Sequence, residues 1–117
     1  MRPLAFVDLE TTGSTATNDR ITEIGIVEVD ADGSVREWQQ LVNPGMHIPP
    51  FIQQLTGISN EMVASAPPFE TVAADVLQRL QGRLFIAHNA RFDYGFLKNE
   101  FKRLEITFRA PVLCTVK

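Results

Sequence analysis

The sequence has little of what marks secreted, membrane-spanning or zinc-binding proteins. Its 117 residues contain one cysteine, Cys114, which excludes an internal disulfide framework, and two histidines, too few soft ligands for a structural zinc site. No apolar run approaches the roughly 20 residues of a membrane span, and no signal-peptide pattern follows Met1. The formal charge of −3 argues against a nonspecific coat on duplex DNA. With 44% hydrophobic residues, the chain is expected to be one cytoplasmic domain with its own core.

The stretch FVDLETTG, residues 6–13, is the first with chemical content. It ends an apolar run, Leu4 to Val7, that reads as a buried strand, and it carries Asp8 and Glu10 two residues apart. A strand points side chains at this spacing toward the same face. Two ionised carboxylates side by side repel each other, and a hard divalent cation such as Mg²⁺ or Mn²⁺ is their usual countercharge. Acids at strand ends are often merely solvated, so this pair alone is weak evidence for a metal site.

Three strands are predicted at the start of the chain, followed by a segment of short helical turns. β-branched residues and the Asp32-Gly33 hairpin signal indicate an antiparallel meander. Prolines and glycines between residues 46 and 68 leave room only for short turns of helix, the second of them capped by Ser59. The predicted elements are strands from Leu4, over Ile21–Asp30 and over Val35–Val42, and a helical turn over Phe51–Leu55.

The clearest predicted helix covers Phe69 to Gln81, where apolar residues recur at a spacing of three and four. We place Leu77 on its buried stripe. Gly82 ends this helix, and Leu84 to Ala87 then reads as a strand that pairs parallel within the sheet. The order of elements indicates an α/β fold with a mixed sheet, in which three antiparallel strands precede the parallel part and helices cover the faces.

A second motif, HNARFD, occupies residues 88–93 and opens another helix, capped by Asn89 and running to about Leu104. Asp93 heads a row on this helix that otherwise faces the core, where an acid is costly unless it is paired. The positive end of the helix dipole could account for Asp93 by itself. Together with Asp8 and Glu10, however, Asp93 would form a cluster of three carboxylates. Such a cluster suits two metal ions that stabilise in-line displacement at phosphate.

These two motifs resemble those of the DEDD exonucleases of the DnaQ-like, DEDDh type, a family that includes the proofreading subunit of bacterial replicative DNA polymerase. FVDLETTG is similar to the family's first exonuclease motif and HNARFDYGFL to its second, and LTGISNEM and the Pro-Pro-Phe before the long helix extend the resemblance over nearly the whole chain. The resemblance implies a ribonuclease H-like fold and 3′-to-5′ removal of nucleotides. It also implies two Mg²⁺ or Mn²⁺ ions held by Asp8, Glu10 and Asp93.

The resemblance further implies residues that meet the substrate. Thr11 and Thr12 would contact the terminal nucleotide, Thr56 and Gly57 would border its base or sugar, and Phe92 would support the helix. His88 lies beside the second motif and is either a substrate contact or a structural residue. The implied substrate is the 3′ end of single-stranded or frayed DNA, with RNA as an alternative, and a proofreading role would imply a polymerase subunit as partner.

The family's third motif, a general-base histidine followed by a fourth metal-binding aspartate, has no counterpart after Asp93. We therefore expect residues 1–117 to form one exonuclease domain that lacks its C-terminal part and hydrolyses slowly. A module that binds a strand or nucleotide without turnover is the alternative, and a purely structural partner domain explains the three acids least well.

Overall fold

The computed structural model of the protein describes residues 1–115, which fold around one mixed five-stranded sheet. The strands are β1 (Leu4–Thr11), β2 (Ile21–Val29), β3 (Val35–Leu41), β4 (Leu84–Ala87) and β5 (Val112–Cys114). The helices are α1 (Pro50–Thr56), α2 (Asn60–Ala64), α3 (Phe69–Leu80) and α4 (Ala90–Arg103). The strand order is β3-β2-β1-β4-β5, antiparallel from β3 to β1 and parallel from β1 to β5. The predicted mixed α/β architecture is confirmed.

Strand β1 lies at the centre of the sheet and sorts its side chains strictly by parity. Ala5, Val7 and Leu9 are buried in the core, whereas Phe6 and Asp8 are exposed. Because successive side chains of a strand point to opposite faces, the same alternation that buries the apolar residues places the acids outside the core. The strand therefore presents its carboxylates on the face that α3 and α4 leave open.

The core lies between the sheet and helices α3 and α4. Phe101 of α4 is fully buried, and its ring centroid lies 5.1 Å from that of Phe69 and 5.1 Å from that of Phe108. The buried stripe of α3 consists of Phe69, Val72, Ala73, Val76 and Leu80. Leu77, which we placed on this stripe, packs against the core but lies at the edge of the stripe and is only partly covered.

Truncation of these two neighbouring leucines should have different costs. Leu80→Ala empties a site that is 1% exposed and should lower the free energy of unfolding by about 2 to 5 kcal/mol. Leu77→Ala removes a side chain that is partly in water already, so its cost should be about 1 kcal/mol. Urea unfolding of both variants measures the difference. Equal losses would show that α3 is rotated relative to the orientation described here.

Helix α1 packs on a second, smaller apolar cluster. Ile48, Ile58 and Val63 form this cluster, and Ile52 of α1 packs against it. As predicted, Ser59 caps α2, its hydroxyl accepting a hydrogen bond from the Met62 amide at 3.1 Å. Only Ile52, Gln53 and Thr56 of α1 are partly covered, and the rest of the helix surface is exposed.

Two features differ from the sequence prediction. Strand β5 was not predicted, because three residues at a sheet edge carry no detectable periodicity. Asn89 precedes α4 as expected, but its side chain makes no capping hydrogen bond within the described part of the chain. Among residues 1–115, no helix combines the length and the apolar character that crossing a membrane requires.

Candidate active site

The first two acids of the site lie at the C-terminal end of β1. Asp8 is exposed and Glu10 is half-buried, and in the antiparallel pairing with β2 they lie opposite Gly25 and Glu23. Burial raises the pKa of Glu10 above its usual value, and the nearby charges of Asp8 and Glu23 raise it further. The end of this strand is therefore a region of uncompensated negative charge.

The third acid reaches the same place from α4. Asp93 belongs to the first turn of this helix and is buried, and its Oδ1 accepts a hydrogen bond of 3.2 Å from the Leu9 amide. Burial raises the pKa of Asp93 to about 6. The Leu9 amide opposes this rise, while the charges of Asp8 and Glu10 add to it. The structure thus brings Asp93 close enough to Asp8 and Glu10 for their charges to act on the pKa of Asp93.

The chemistry of this donor set fits Mg²⁺ or Mn²⁺. All three groups offer oxygen, which hard divalent cations prefer, and their mutual repulsion is relieved by a positive charge between them. Within residues 1–115, however, no three His, Cys, Asp or Glu side chains converge into a complete metal-binding group. Mg²⁺ commonly takes only one or two protein carboxylates and completes its shell with water and substrate phosphate oxygens. An ion here would need such additional ligands.

A cleft of about 710 Å³ opens beside Glu10, between the loop after β1 and helix α1; we call it the α1 cleft. Four of the predicted substrate residues lie on its wall: Thr11, Thr12, Thr56 and Phe92. The remaining lining residues are Leu9, Glu10, Gly13, Ser14, Asp19, Pro49, Phe51, Ile52 and Leu55. Glu10 and most of the predicted substrate residues therefore share one concavity.

The threonine hydroxyls of the α1 cleft are hydrogen-bonded within the protein. Thr11 donates to the Gly13 carbonyl at 2.6 Å, Thr12 to the Asp19 carboxylate at 3.0 Å and Thr56 to the Ile52 carbonyl at 2.9 Å. These bonds shape the wall of the cleft. Direct contact between the hydroxyls and a nucleotide stays a prediction.

Gly57 and His88 do not lie on the wall of the α1 cleft. Gly57 ends α1 with a φ of 77°, the left-handed conformation that glycine adopts without strain. His88 is exposed and borders a separate groove of about 470 Å³ on the open face of the sheet, which Asp8 also borders. Asp8 thus lines this groove, whereas Glu10 lines the α1 cleft.

Sequence reasoning did not single out Phe51 and missed its relation to Leu55. These side chains are 69% and 70% exposed, lie one turn apart on α1 and line the α1 cleft. Their spacing of four residues was a usable signal. In the sequence alone it looks like packing, because an apolar pair at this spacing covers a core more often than it meets a ligand.

Comparison with known proteins decides the family. A sequence profile of the family described as Exonuclease (RNase_T) matches residues 5–117. The chain belongs to this exonuclease family. Within it, the 3'-5' exonuclease DinG of Bacillus subtilis (strain 168) is 45% identical over 98 residues, which is 83% of this chain and 10% of that protein. The putative bifunctional exonuclease/endonuclease protein MT2247 of Mycobacterium tuberculosis is 43% identical over 118 residues, covering 95% of this chain and 18% of that protein.

Solved structures confirm the fold of this exonuclease family member. The E. coli exonuclease I complex with a dT13 oligonucleotide aligns with a TM-score of 0.85 at 18% identity, over 97% of this chain and 28% of that one. A product-bound structure of exonuclease I gives a TM-score of 0.86, again at 18% identity, over 97% and 30%. The predicted ribonuclease H-like fold is therefore confirmed. The chain spans only about a tenth to a fifth of the length of the curated relatives described above.

The raised pKa of Asp93 predicts a pH dependence of stability. Its folded value, about 6, lies above the unfolded value near 3.9, so between these values the native state binds more protons than the unfolded state. Stability should therefore fall as pH rises from about 4 to 6. Asp93→Asn should remove this fall and raise the free energy of unfolding at pH 7 by about 1 to 2 kcal/mol, after allowance for solvent screening. Urea unfolding at several pH values, without added metal, tests this. Parallel curves for parent and variant would contradict it.

Proposed function

We propose that this chain is a divalent-metal-dependent 3′-to-5′ exonuclease domain that removes nucleotides from single-stranded or frayed DNA. The observation that carries the proposal is the approach of Asp93 to Asp8 and Glu10 beside the α1 cleft. Membership of the exonuclease family supports the reaction class, and the name of the Bacillus subtilis relative supports the direction.

In this reaction the side chains of the protein would bind the metal ions and restrict the orientations of the groups that hold them. Asp8, Glu10 and Asp93 would hold two Mg²⁺ or Mn²⁺ ions, which when bound supply an activated water and stabilisation of the leaving 3′ oxygen. Burial and the Leu9 amide keep Asp93 in one orientation. Because its pKa lies near 6, Asp93 must release a proton to act as a ligand, so affinity for the metal should rise as pH increases through that value.

The α1 cleft suits a single strand better than a duplex. Exposed Phe51 and Leu55 offer an apolar surface on which bases can stack, a contact that tolerates any sequence and requires unpaired bases. E. coli exonuclease I, which shares the fold, has been solved with a dT13 oligonucleotide. An RNA 3′ end is the alternative substrate. A proofreading role with a polymerase subunit as partner stays a prediction from the family resemblance. A cytoplasmic location stays a prediction from the composition.

Incubation of short oligothymidylates with the purified chain and Mn²⁺ tests the proposal. A 3′-terminal label should be released first as mononucleotide, and a 5′ label should yield a descending ladder. Blunt duplex DNA should be degraded more slowly, and the matched RNA oligomer tests the alternative substrate. Mn²⁺-dependent binding of thymidine 5′-monophosphate, measured by calorimetry, examines the site without requiring turnover. Binding that depends on Asp8 but yields no product would identify a strand-binding module, and release from the 5′ end would overturn the proposal.

Removal of the Phe51 ring should weaken strand binding without weakening the fold. Phe51→Ala should reduce the affinity for oligothymidylate by about 5- to 150-fold, because base stacking on an aromatic side chain contributes about 1 to 3 kcal/mol. Its stability should stay within about 0.5 kcal/mol of the parent, since the side chain is 69% exposed. Fluorescence anisotropy measures the affinity. Val35→Ala, an exposed apolar truncation on β3, is the control, and equal affinity for both variants would exclude the stacking role.

A further inference from the structure

Glu100 of α4 is a buried acid that the proposed chemistry does not use. It is 1% exposed, and both of its carboxylate oxygens are occupied. Arg20 donates from Nη2 to Oε1 at 2.8 Å and from Nε to Oε1 and Oε2 at 3.1 and 3.0 Å. The Ile21 amide donates to Oε2 at 3.2 Å. This forked, fully satisfied pairing defines both the distance and the angle between α4 and the start of β2.

The position of Glu100 relates it directly to Asp93. The two residues are seven positions apart on α4, which is two turns and about 10 Å along the same helix face. Asp93 contacts the Leu9 amide on β1, and Glu100 contacts the Ile21 amide on β2. The helix is thus held to the sheet at two points on adjacent strands. A shift or rotation of α4 at one point would displace the other.

Arg20 also closes the loop that forms one wall of the α1 cleft. Its carbonyl accepts a hydrogen bond from the Thr12 amide at 2.9 Å, and its amide donates to the Thr12 hydroxyl at 3.1 Å. The Thr12 hydroxyl in turn holds Asp19. The loop is packed closely enough that a Cβ at Gly13 would come within 2.6 Å of the Asp19 carboxyl carbon. The geometry of the wall therefore depends on where Arg20 is held.

Two further side chains of α4 hold the same loop. Asn99 donates from its amide to the Ala16 carbonyl at 2.5 Å. Arg103 donates to the carbonyls of Ala16 and Thr17 at 3.3 and 3.2 Å. The C-terminal half of α4 thus forms hydrogen bonds with the loop from residue 12 to residue 20, while the first turn of α4 carries Asp93.

We propose that Arg20 and Glu100 are positioning residues that couple the metal-holding acid Asp93 to the substrate-holding wall of the α1 cleft. This inference rests on the proposed function, since it assigns the pair a role in that same site. Stability alone is a poor reason to bury Glu100, because removing its charge from water is costly even when its hydrogen bonds are complete, and its partner Arg20 keeps 33% of its side chain exposed. A defined position of α4 against both β1 and β2 is what the pair provides.

Glu28 supplies a matched control at the other end of β2. It is also a buried acid, 4% exposed, and it is paired with Arg79 at 2.7 Å and Arg36 at 3.2 Å. Seven residues of strand separate it from Ile21, roughly 23 Å. Glu28→Gln should therefore disturb a buried acid paired with partly exposed arginines, as Glu100 is with Arg20, without touching α4 or the α1 cleft.

The experiment compares Glu100→Gln with Glu28→Gln in the 117-residue chain. Urea unfolding gives the stability of each, and calorimetry gives its affinity for Mn²⁺ and for oligothymidylate in the presence of Mn²⁺. Both variants should lose stability, but only Glu100→Gln should weaken the two affinities, by about 10- to 100-fold, the range seen when groups that orient metal ligands are removed. Equal effects of the two variants on affinity, or no effect of Glu100→Gln, would overturn the inference.

Arg20→Lys is the second, milder variant, which keeps the positive charge and loses the planar fork. Its affinity for Mn²⁺ should lie between that of the parent and that of Glu100→Gln. It should also stay folded at urea concentrations that unfold Glu100→Gln. Parental affinity in Arg20→Lys would overturn the role assigned to the fork. The proposed function is tested separately by Asp8→Asn. If Mn²⁺ binding to the parent does not depend on Asp8, the proposed function fails, whatever Glu100→Gln does.

Discussion

Asp8→Asn is expected to reduce the release of mononucleotides from a single-stranded 3′ end by about 10²-fold or more. The amide keeps the shape of the side chain but removes the negative charge that would hold the divalent ion. Charge stabilisation by a bound metal contributes several kcal/mol to such a displacement, and each 1.4 kcal/mol corresponds to a factor of about ten in rate. Rates with Mn²⁺ at pH 8, well above the Asp93 pKa of about 6, provide the measurement. Calorimetry should show a parallel loss of Mn²⁺ affinity.

Glu23→Gln is the control for this loss. Glu23 lies directly opposite Glu10 in the β1 and β2 pairing, and its charge contributes to the raised pKa of Glu10. Its removal should therefore leave Mn²⁺ binding unchanged or slightly stronger, because Glu10 would ionise more readily. If Glu23→Gln is as damaging as Asp8→Asn, the site responds to total negative charge and not to particular ligands.

The second large expected effect is on stability. Phe101→Ala should lower the free energy of unfolding by about 3 to 5 kcal/mol, because it empties the centre of the core between the sheet and two helices. The ring is fully buried, meets Phe69 edge to face and is tilted against Phe108. Helix α4 also carries Asp93, so loss of this contact should loosen the site as well. Urea unfolding followed by circular dichroism provides the measurement.

Phe51→Ala makes the same chemical change on the surface and should cost less than about 0.5 kcal/mol. The difference between the two stability losses distinguishes a phenylalanine that packs in the core from one that lines the α1 cleft. Phe101 is fully buried, whereas Phe51 is 69% exposed on α1. Similar stability losses in the two variants would mean that α1 packs against the body of the domain more closely than the structure indicates.

Much of the fold was predictable because its signals are local. A period of two in β1 separates buried Val7 and Leu9 from exposed Asp8, and a period near 3.6 in α3 predicts the buried stripe that includes Val76. Leu77 packs against the core as expected but is only partly covered, because a residue at the margin of a helical stripe is fully covered only if a neighbouring element extends over it. The sheet edge at Val112–Cys114 was missed because pairing with β4, and not any pattern of its own, makes it a strand.

The candidate site was predictable for a related reason. Adjacent like charges such as Asp8 and Glu10 are visible in the sequence as an unfavourable arrangement that needs an explanation. Asp93 was visible as an acid on an otherwise apolar helix row. The family resemblance assigns these two motifs to one site. The exposed surface formed by Phe51 and Leu55 was not assigned, because the sequence does not show which face of α1 the Ile48 cluster covers.

The sequence by itself therefore determined most of the strands and helices, and that Asp8, Glu10 and Asp93 need an electrostatic partner, because these properties depend on neighbours a few positions away. Only the tertiary structure decided what those acids meet. Glu100 gave no signal in the sequence, yet it pairs with Arg20, 80 positions away. This pair connects helix α4 to the loop that forms the cleft wall. The Leu9 amide meets Asp93 across 84 positions. Contacts of this kind depend on how the chain is brought together by packing of the core, and no local periodicity encodes them.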